Sequence, residues 1–133
     1  MIILELFEPI THEWKIRSDD LWIGNFVVDG YNYEVRFECH DDMGNNWLGS
    51  FARLDQYGKP IIDVSTGGNP YKVFSAVLEM VKEFFSIIYP LEVAFTADSE
   101  SRRRLYHRLF VRLSLSDYKW ESRDDFFVVG RRR

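Results

Sequence analysis

Between Ser65 and Pro70 the chain reads Ser-Thr-Gly-Gly-Asn-Pro, a glycine turn that leads from an apolar strand, Ile61–Ser65, into an apolar helix. A turn of this kind at a helix N-terminus aims several backbone N–H groups at one spot, with the helix's partial positive charge behind them. That combination holds phosphates. Gly67 and Gly68 admit close backbone approach, and Ser65, Thr66 and Asn69 add donors in the same loop. The same residues also suit a plain strand-to-helix turn, so a phosphate-bearing ligand is one of two readings. A second cluster follows in Arg102-Arg103-Arg104-Leu105-Tyr106, which with Arg108 and Arg112 makes one helix strongly basic, and Arg131–Arg133 adds a basic tail. Such a run reads as a contact for an acidic partner, as a phosphate contact, or as a solvated helix face. Nucleic acid is a further reading of the run, placed last because no aromatic stacking platform surrounds it.

The elements that would carry these residues fall into two halves. Ile2–Phe7 and Trp14–Ile16 read as short strands around Pro9. Trp22–Val28, Asp29-Gly30 and Tyr31–His40 read as a hairpin, because Asp-Gly supplies the positive φ angles of a tight turn. The second strand alternates, with Tyr31, Tyr33, Val35, Phe37 and Cys39 inside and Asn32, Glu34, Arg36, Glu38 and His40 outside. Trp47–Leu54 is the next strand, and the turn Gln56–Pro60 leads into Ile61–Ser65. The period then changes. Val73, Val77, Leu78, Val81, Phe84, Phe85 and Ile88 follow helical spacing from Pro70 to Tyr89, with Asn69 as cap and Pro90 as stop. Leu91–Ala97 is an apolar strand, and Asp98 or Ser99 caps a second helix with Leu105, Tyr106, Leu109 and Leu113 on one face. Tyr118–Ser122 and Phe126–Val129 close the chain as an antiparallel pair. The expected fold is α+β: a mostly antiparallel, twisted central sheet with an N-terminal β-meander. A β-α-β-α-β-β second half carries two main helices and one parallel pairing or close splay between Ile61 and Ala97.

At 133 residues the chain is read as a single domain, residues 1–133, and an aromatic share of 17% makes a ring-rich core. Net charge is −4, but residues 1–69 hold 5 Lys/Arg against 12 Asp/Glu while residues 70–133 hold 12 against 9. That asymmetry bears on steering and partners rather than on fold. Cys39 is the only cysteine, so no disulfide framework exists within the chain and a reducing compartment is expected. Met1–Glu5 lacks the basic and long apolar regions of a signal peptide, and no segment approaches 18 apolar residues. A cytoplasmic location without a membrane span is therefore expected. His12, His40 and His107 show no metal-ligand spacing, and no metal is expected.

The order of elements, with a glycine turn before one helix and Leu105-Tyr106 in the next, resembles the GNAT acyltransferases. In that family the fourth strand opens onto a pyrophosphate loop, Gln/Arg-x-x-Gly-x-Gly/Ala, whose helix runs behind acetyl-CoA. The matching stretch here is Val64-Ser65-Thr66-Gly67-Gly68-Asn69-Pro70, which keeps glycines, shifts their spacing and lacks the leading Gln or Arg. After its fifth strand the family shows Asn-x-x-Ala-x-x-Leu-Tyr. This chain shows Ser99 to Tyr106 with Leu-Tyr in place, Ser99 for the Asn and Arg102 for the Ala. Phe95 to Arg102 with Leu105-Tyr106, and the helix start Lys72-Val73-Phe74-Ser75, also resemble small phage proteins with a GNAT-like second half. The resemblance covers roughly residues 20–129. Family members insert helices between their first two strands to build part of the acceptor site, and this chain has only Asp29-Gly30 there.

The resemblance implies acetyl-CoA as cofactor, held by Val64, Ser65, Thr66, Gly67, Gly68, Asn69 and Arg102, and acyl transfer to an amine acceptor. Tyr106 would be the acid that protonates the leaving thiolate, suited by its ordinary pKa of about 10; as a bare aromatic it would instead pack at the helix edge. Ser99 would orient cofactor or acceptor, or serve only as a cap. Glu38 would take the amine's proton, with Glu34, His40 and Asp63 as other possible bases, each also readable as a solvated strand position. A stripped acceptor side suits a large substrate, such as a host protein in the phage setting. It equally suits a catalytically inactive GNAT-like protein that binds and modulates one.

Overall fold

The computed structural model describes residues 10–61, 68–97, 99–113 and 115–132. The expected strand Ile2–Phe7, most of Ile61–Ser65, and Asp98 lie outside the described residues. Four strands form the meander: β1 (His12–Arg17), β2 (Leu21–Val28), β3 (Tyr31–Cys39) and β4 (Asn46–Leu54). A two-residue β5 (Pro60–Ile61) follows, then α1 (Pro70–Ile88), β6 (Glu92–Thr96), α2 (Glu100–Arg112), β7 (Tyr118–Arg123) and β8 (Phe126–Arg131). The fold is α+β: the described residues form one mixed sheet of eight strands ordered β1-β2-β3-β4-β6-β8-β7, with β5 beside β4. The β2–β3 hairpin turns at Asp29 and Gly30, whose φ angles of 52° and 81° are those that Asp-Gly tolerates.

One parallel pairing is present, but it is not where the strand–helix–strand reading put it. β6 pairs in parallel with β4, Asn46–Gly49 against Glu92–Phe95, whereas the Ile61 strand runs antiparallel to β4. The cause is the turn at Asp55, whose carboxylate accepts from the N–H groups of Tyr57 and Lys59 and folds the chain back before α1 begins.

Both helices cover the same face of the sheet. β4, β6 and β7 run parallel to one another and succeed each other in one direction across the sheet, so two right-handed crossovers put both helices on one side. The contacts agree. Phe84 of α1 stacks on Phe37 at 3.8 Å and meets Trp22 and Trp47 edge-on at 5.3 and 5.0 Å. On α2, Phe110 meets Phe95, Phe127 and Trp120, which the strand register places on that same face. The core is thus a layer of rings between sheet and helices, as the aromatic composition implied. On the opposite face no helix packs among the described residues.

Local choices support the packing. Asn69 caps α1 by accepting from Tyr71 and Lys72, Pro70 opens it, and Tyr89 closes it in the left-handed conformation before Pro90. Outer strand β1 is fastened by Glu83 of α1, whose Oε2 accepts from Trp14 Nε1 at 2.9 Å and lies 2.8 Å from His12 Nε2. Partial burial opposes ionisation of Glu83, but hydrogen bonds from Trp14 and His12, with the charges of His12 and Arg17, outweigh it and hold its pKa below 4.5. At Gly49 a Cβ would sit 2.4 Å from the ring of Phe95, which is hemmed in by Phe37, Tyr106 and Phe110.

Gly49→Ala is therefore expected to destabilise the fold by about 1–3 kcal/mol in urea denaturation, the usual cost of overpacking a filled core. A carboxylate with a depressed folded pKa contributes stability above its unfolded value that is lost as pH falls through the folded one. Glu83→Gln should accordingly cost stability at pH 7, and the gap to the parent should close as the pH is taken below 4.5. A gap of constant size across that range would show that the carboxylate's charge contributes nothing.

Candidate functional site

The parallel strands β4 and β6 stay paired only as far as Gly49 and Phe95; beyond that point the free edge of β4 is taken by β5 at Arg53 and Leu54. The strands part over Ser50–Ala52. Arg102, in the first turn of α2, reaches into this opening and donates from Nη1 to the carbonyl of Phe51. Ser99 caps α2 by accepting from the N–H of Arg102 at 3.2 Å. Arg103 donates to the Ala97 carbonyl and pairs with Asp125 at 2.8 Å. The N-terminus of α1 lies at the same end of the sheet, since Gly68 packs on Val28 and Tyr33, and Tyr33 is paired with Arg53 at the end of β4. Two helix N-termini and Arg102 thus surround the place where the strands diverge.

Of the expected loop, Val64, Ser65, Thr66 and Gly67 lie outside the described residues. Gly68 and Asn69 are in place, and their N–H groups are already used. Gly68 donates to the hydroxyl of Tyr33 at 2.9 Å, and Asn69 donates to the carboxylate of Asp29 at 2.7 Å. A Cβ at Gly68 would lie 2.7 Å from the carbonyl oxygen of Val28, so the position is glycine because backbone meets backbone there. Asp29 is an anion that the chain itself sets against the positive end of α1.

Tyr106, Ser99 and Glu38 are not brought together. Tyr106 is 1% exposed, its ring packed against Phe95, Phe110 and Phe127 in the core. Glu38 is on the other face of the sheet, opposite Leu48 near the start of β4, and its carboxylate takes Arg36 Nε at 2.7 Å. Glu34 sits on that face as well, 3.8 Å from the same guanidinium, and His40 lies 4.0 Å from Glu38. Asp63 is outside the described residues. Cys39 is half-buried and donates to the carbonyl of Asp41, the role of a small structural thiol.

Among the described residues the sheet face without helices is open. Its centre is the row Glu34, Arg36 and Glu38 on β3. Around it stand Ile16, Val27, Leu48 and Phe126, all at least 38% exposed. The sequence reading took this phase as solvated. Alternation along β3 does signal that one side is polar, but not that the flanking strands offer apolar groups to the same side. The described residues contain no helix long and apolar enough to cross a membrane. Comparison of the sequence with known protein families and with curated proteins found no match.

Asp29→Asn keeps the turn, since Asn also tolerates positive φ, but removes the charge at the α1 N-terminus. It is expected to cost about 0.3–1 kcal/mol in urea denaturation at low salt, a difference that should fade toward about 1 M salt. Equal stability of the two proteins at low salt would remove Asp29 from this role.

Proposed function

We propose that this chain is a binding protein on a GNAT-like sheet whose acyl-transfer groups are not assembled, and that its uncovered sheet face engages another protein. The meander, the parallel crossing through α1, and Leu105-Tyr106 in the helix after β6 support the GNAT-like reading of the scaffold. One observation carries the binding reading: Tyr106 and Glu38, acid and base of the expected chemistry, stand on opposite faces of the sheet. Asp29 at the α1 N-terminus also opposes a phosphate there by like charge. On the uncovered face, a charged row flanked by exposed Ile16, Val27, Leu48 and Phe126 has the mixed character of a protein contact. Among the described residues the tight turns of the meander place nothing over this face, in keeping with a large partner such as a host protein in the phage setting.

The acyltransferase remains the second reading, favoured by the parting of β4 and β6 beside Arg102 and two helix N-termini. There acetyl-CoA would present its phosphates to Arg102 and the α1 turn; an amine would attack the thioester carbonyl and lose its proton to water, and Tyr106 would protonate the thiolate as the C–S bond breaks.

The two readings separate in one pair of measurements. Affinity capture from host lysate should recover a partner with the parent chain and lose it with Leu48→Lys or Val27→Lys, exposed positions with no like charge opposite, changes that leave folding within about 0.5 kcal/mol. Recovery of the same species by both variants would exclude the uncovered face. Acetyl-CoA incubated with the chain and a lysine peptide should release no free thiol. Thiol release that falls about 100-fold or more in Tyr106→Phe would replace this reading with the enzyme.

A further inference from the structure

The two ends of the sheet differ. β1, at one end, carries a bulge between Trp14 and Ile16, a device that discourages edge pairing. β7, at the other end, pairs with β8 without any shift of register. In that ladder the Arg132 N–H donates to the Asp117 carbonyl, so Asp117, Lys119, Glu121 and Arg123 turn their backbone groups toward β8. Tyr118, Trp120 and Ser122 turn theirs outward. Tyr118 spends its pair within the chain, its N–H on the Leu115 carbonyl and its carbonyl on Arg132 Nε. The outward N–H and C=O groups of Trp120 and Ser122 have no partner among the described residues, an open template for another strand.

The side chains of this edge complement themselves most fully in one register. If two copies of β7 lie antiparallel about a two-fold axis at Trp120, Lys119 faces Glu121 of the second copy and Asp117 faces its Arg123, each twice by symmetry. Trp120 then faces Trp120 on the helix-covered side, and Tyr118 faces Ser122. The neighbouring registers are repulsive. An axis at Glu121 sets Glu121 against Glu121 and Lys119 against Arg123, and an axis at Lys119 sets Lys119 against Lys119 and Asp117 against Glu121. In the favourable register the outward amide and carbonyl of Trp120 pair with those of the second copy's Trp120, and the Ser122 N–H reaches the second lone pair of the Tyr118 carbonyl.

A groove of about 490 Å³ lies beside the same edge, its lining mixing apolar Val111, Leu113 and Trp120 with polar Ser116, Lys119 and Arg132. Val111 on its rim is 61% exposed. The second copy's Trp120 arrives next to this groove and covers apolar surface that the monomer leaves in water.

We propose that the chain forms a two-fold homodimer by joining β7 to β7 of a second copy, extending both sheets into one. The dimer stands independently of what the uncovered face binds.

Sedimentation of the full chain over about 1–300 µM, the span of weak to moderate affinities, tests this. The parent chain should shift from monomer to dimer with concentration. Lys119→Glu and Glu121→Lys should each weaken dimerisation about tenfold or more, because both symmetry-related pairs turn from attraction to repulsion. The double variant Lys119→Glu/Glu121→Lys should recover the parent affinity to within about threefold, since the swapped charges attract again. Ser122→Pro removes the N–H that reaches the second lone pair of the second copy's Tyr118 carbonyl, leaves the β8 ladder untouched, and should weaken the dimer while circular dichroism stays unchanged. A monomer throughout that range, single variants that dimerise like the parent, or a double variant that fails to recover would each overturn the proposal.

Discussion

Everything in this structure depends on a single layer of rings held between one sheet face and two helices. Phe84 is its centre, fully buried, stacked on Phe37 and met edge-on by Trp22, Trp47 and Phe85. A ring so placed contributes through burial and through its edge-to-face contacts, and its loss would leave a cavity that rigid neighbours cannot close. Because both crossovers travel the same way across the sheet, both described helices lie on one side of it. The buried half of every strand must therefore serve this one layer. The glycines at 24 and 49 follow directly, since Met80 and Phe95 occupy the space where their side chains would stand.

The same constraint shapes the end of the sheet where chemistry was expected. With α1 pressed onto the meander, its N-terminus lands on the β2–β3 hairpin. Tyr33 and Asp29 then satisfy the N–H groups of Gly68 and Asn69. A helix end that is open to solvent can recruit an anion; this one has Asp29. The opening between β4 and β6 is likewise occupied by a side chain of the protein, Arg102, which supplies the Phe51 carbonyl with the donor that a neighbouring strand would have given.

Much of this was legible in the sequence, and the part that was not is instructive. Asp29-Gly30, the caps Asn69 and Ser99, the helix that stops at Pro90, and the closing β7–β8 pair are all governed by residues a few positions apart, and local chemistry specified them. The partner of β6 is a different kind of fact. Whether β4 or the Ile61 strand pairs with it depends on which strand's ring layer α1 covers, which no local period records. Tyr106 illustrates the same limit. An amphipathic aromatic on a helix reads alike whether it borders a cleft or lies under Phe95 and Phe127, and only the packing of α2 decides. The resemblance places Glu38 beside Tyr106, since both fall on elements that line one expected cleft. Alternation along β3 put it outside, but "outside" turned out to be the opposite side of the sheet from both helices.

The lower end of the sheet shows how the two halves are joined. Tyr118 is buried at the start of β7 and donates to the carbonyl of Pro90, which also takes Arg131 Nε at 3.1 Å. Burial, eased slightly by the charge of Arg131, raises the Tyr118 pKa to about 12. A phenol that ionises so reluctantly in the folded state holds its hydrogen bond throughout the neutral range; its stabilising contribution is lost only as pH climbs from about 10, its ordinary value, through about 12. Arg131 also lies over Tyr89, whose hydroxyl donates to Asp117. The exit of α1, the start of β6 and the start of β7 are thus tied at one carbonyl. This tie makes β7 a rigid strand rather than a frayed edge. It also links the helix-covered core to the outermost strand, so that the ring layer around Phe84 fixes the position of a sheet edge at the far side of the molecule.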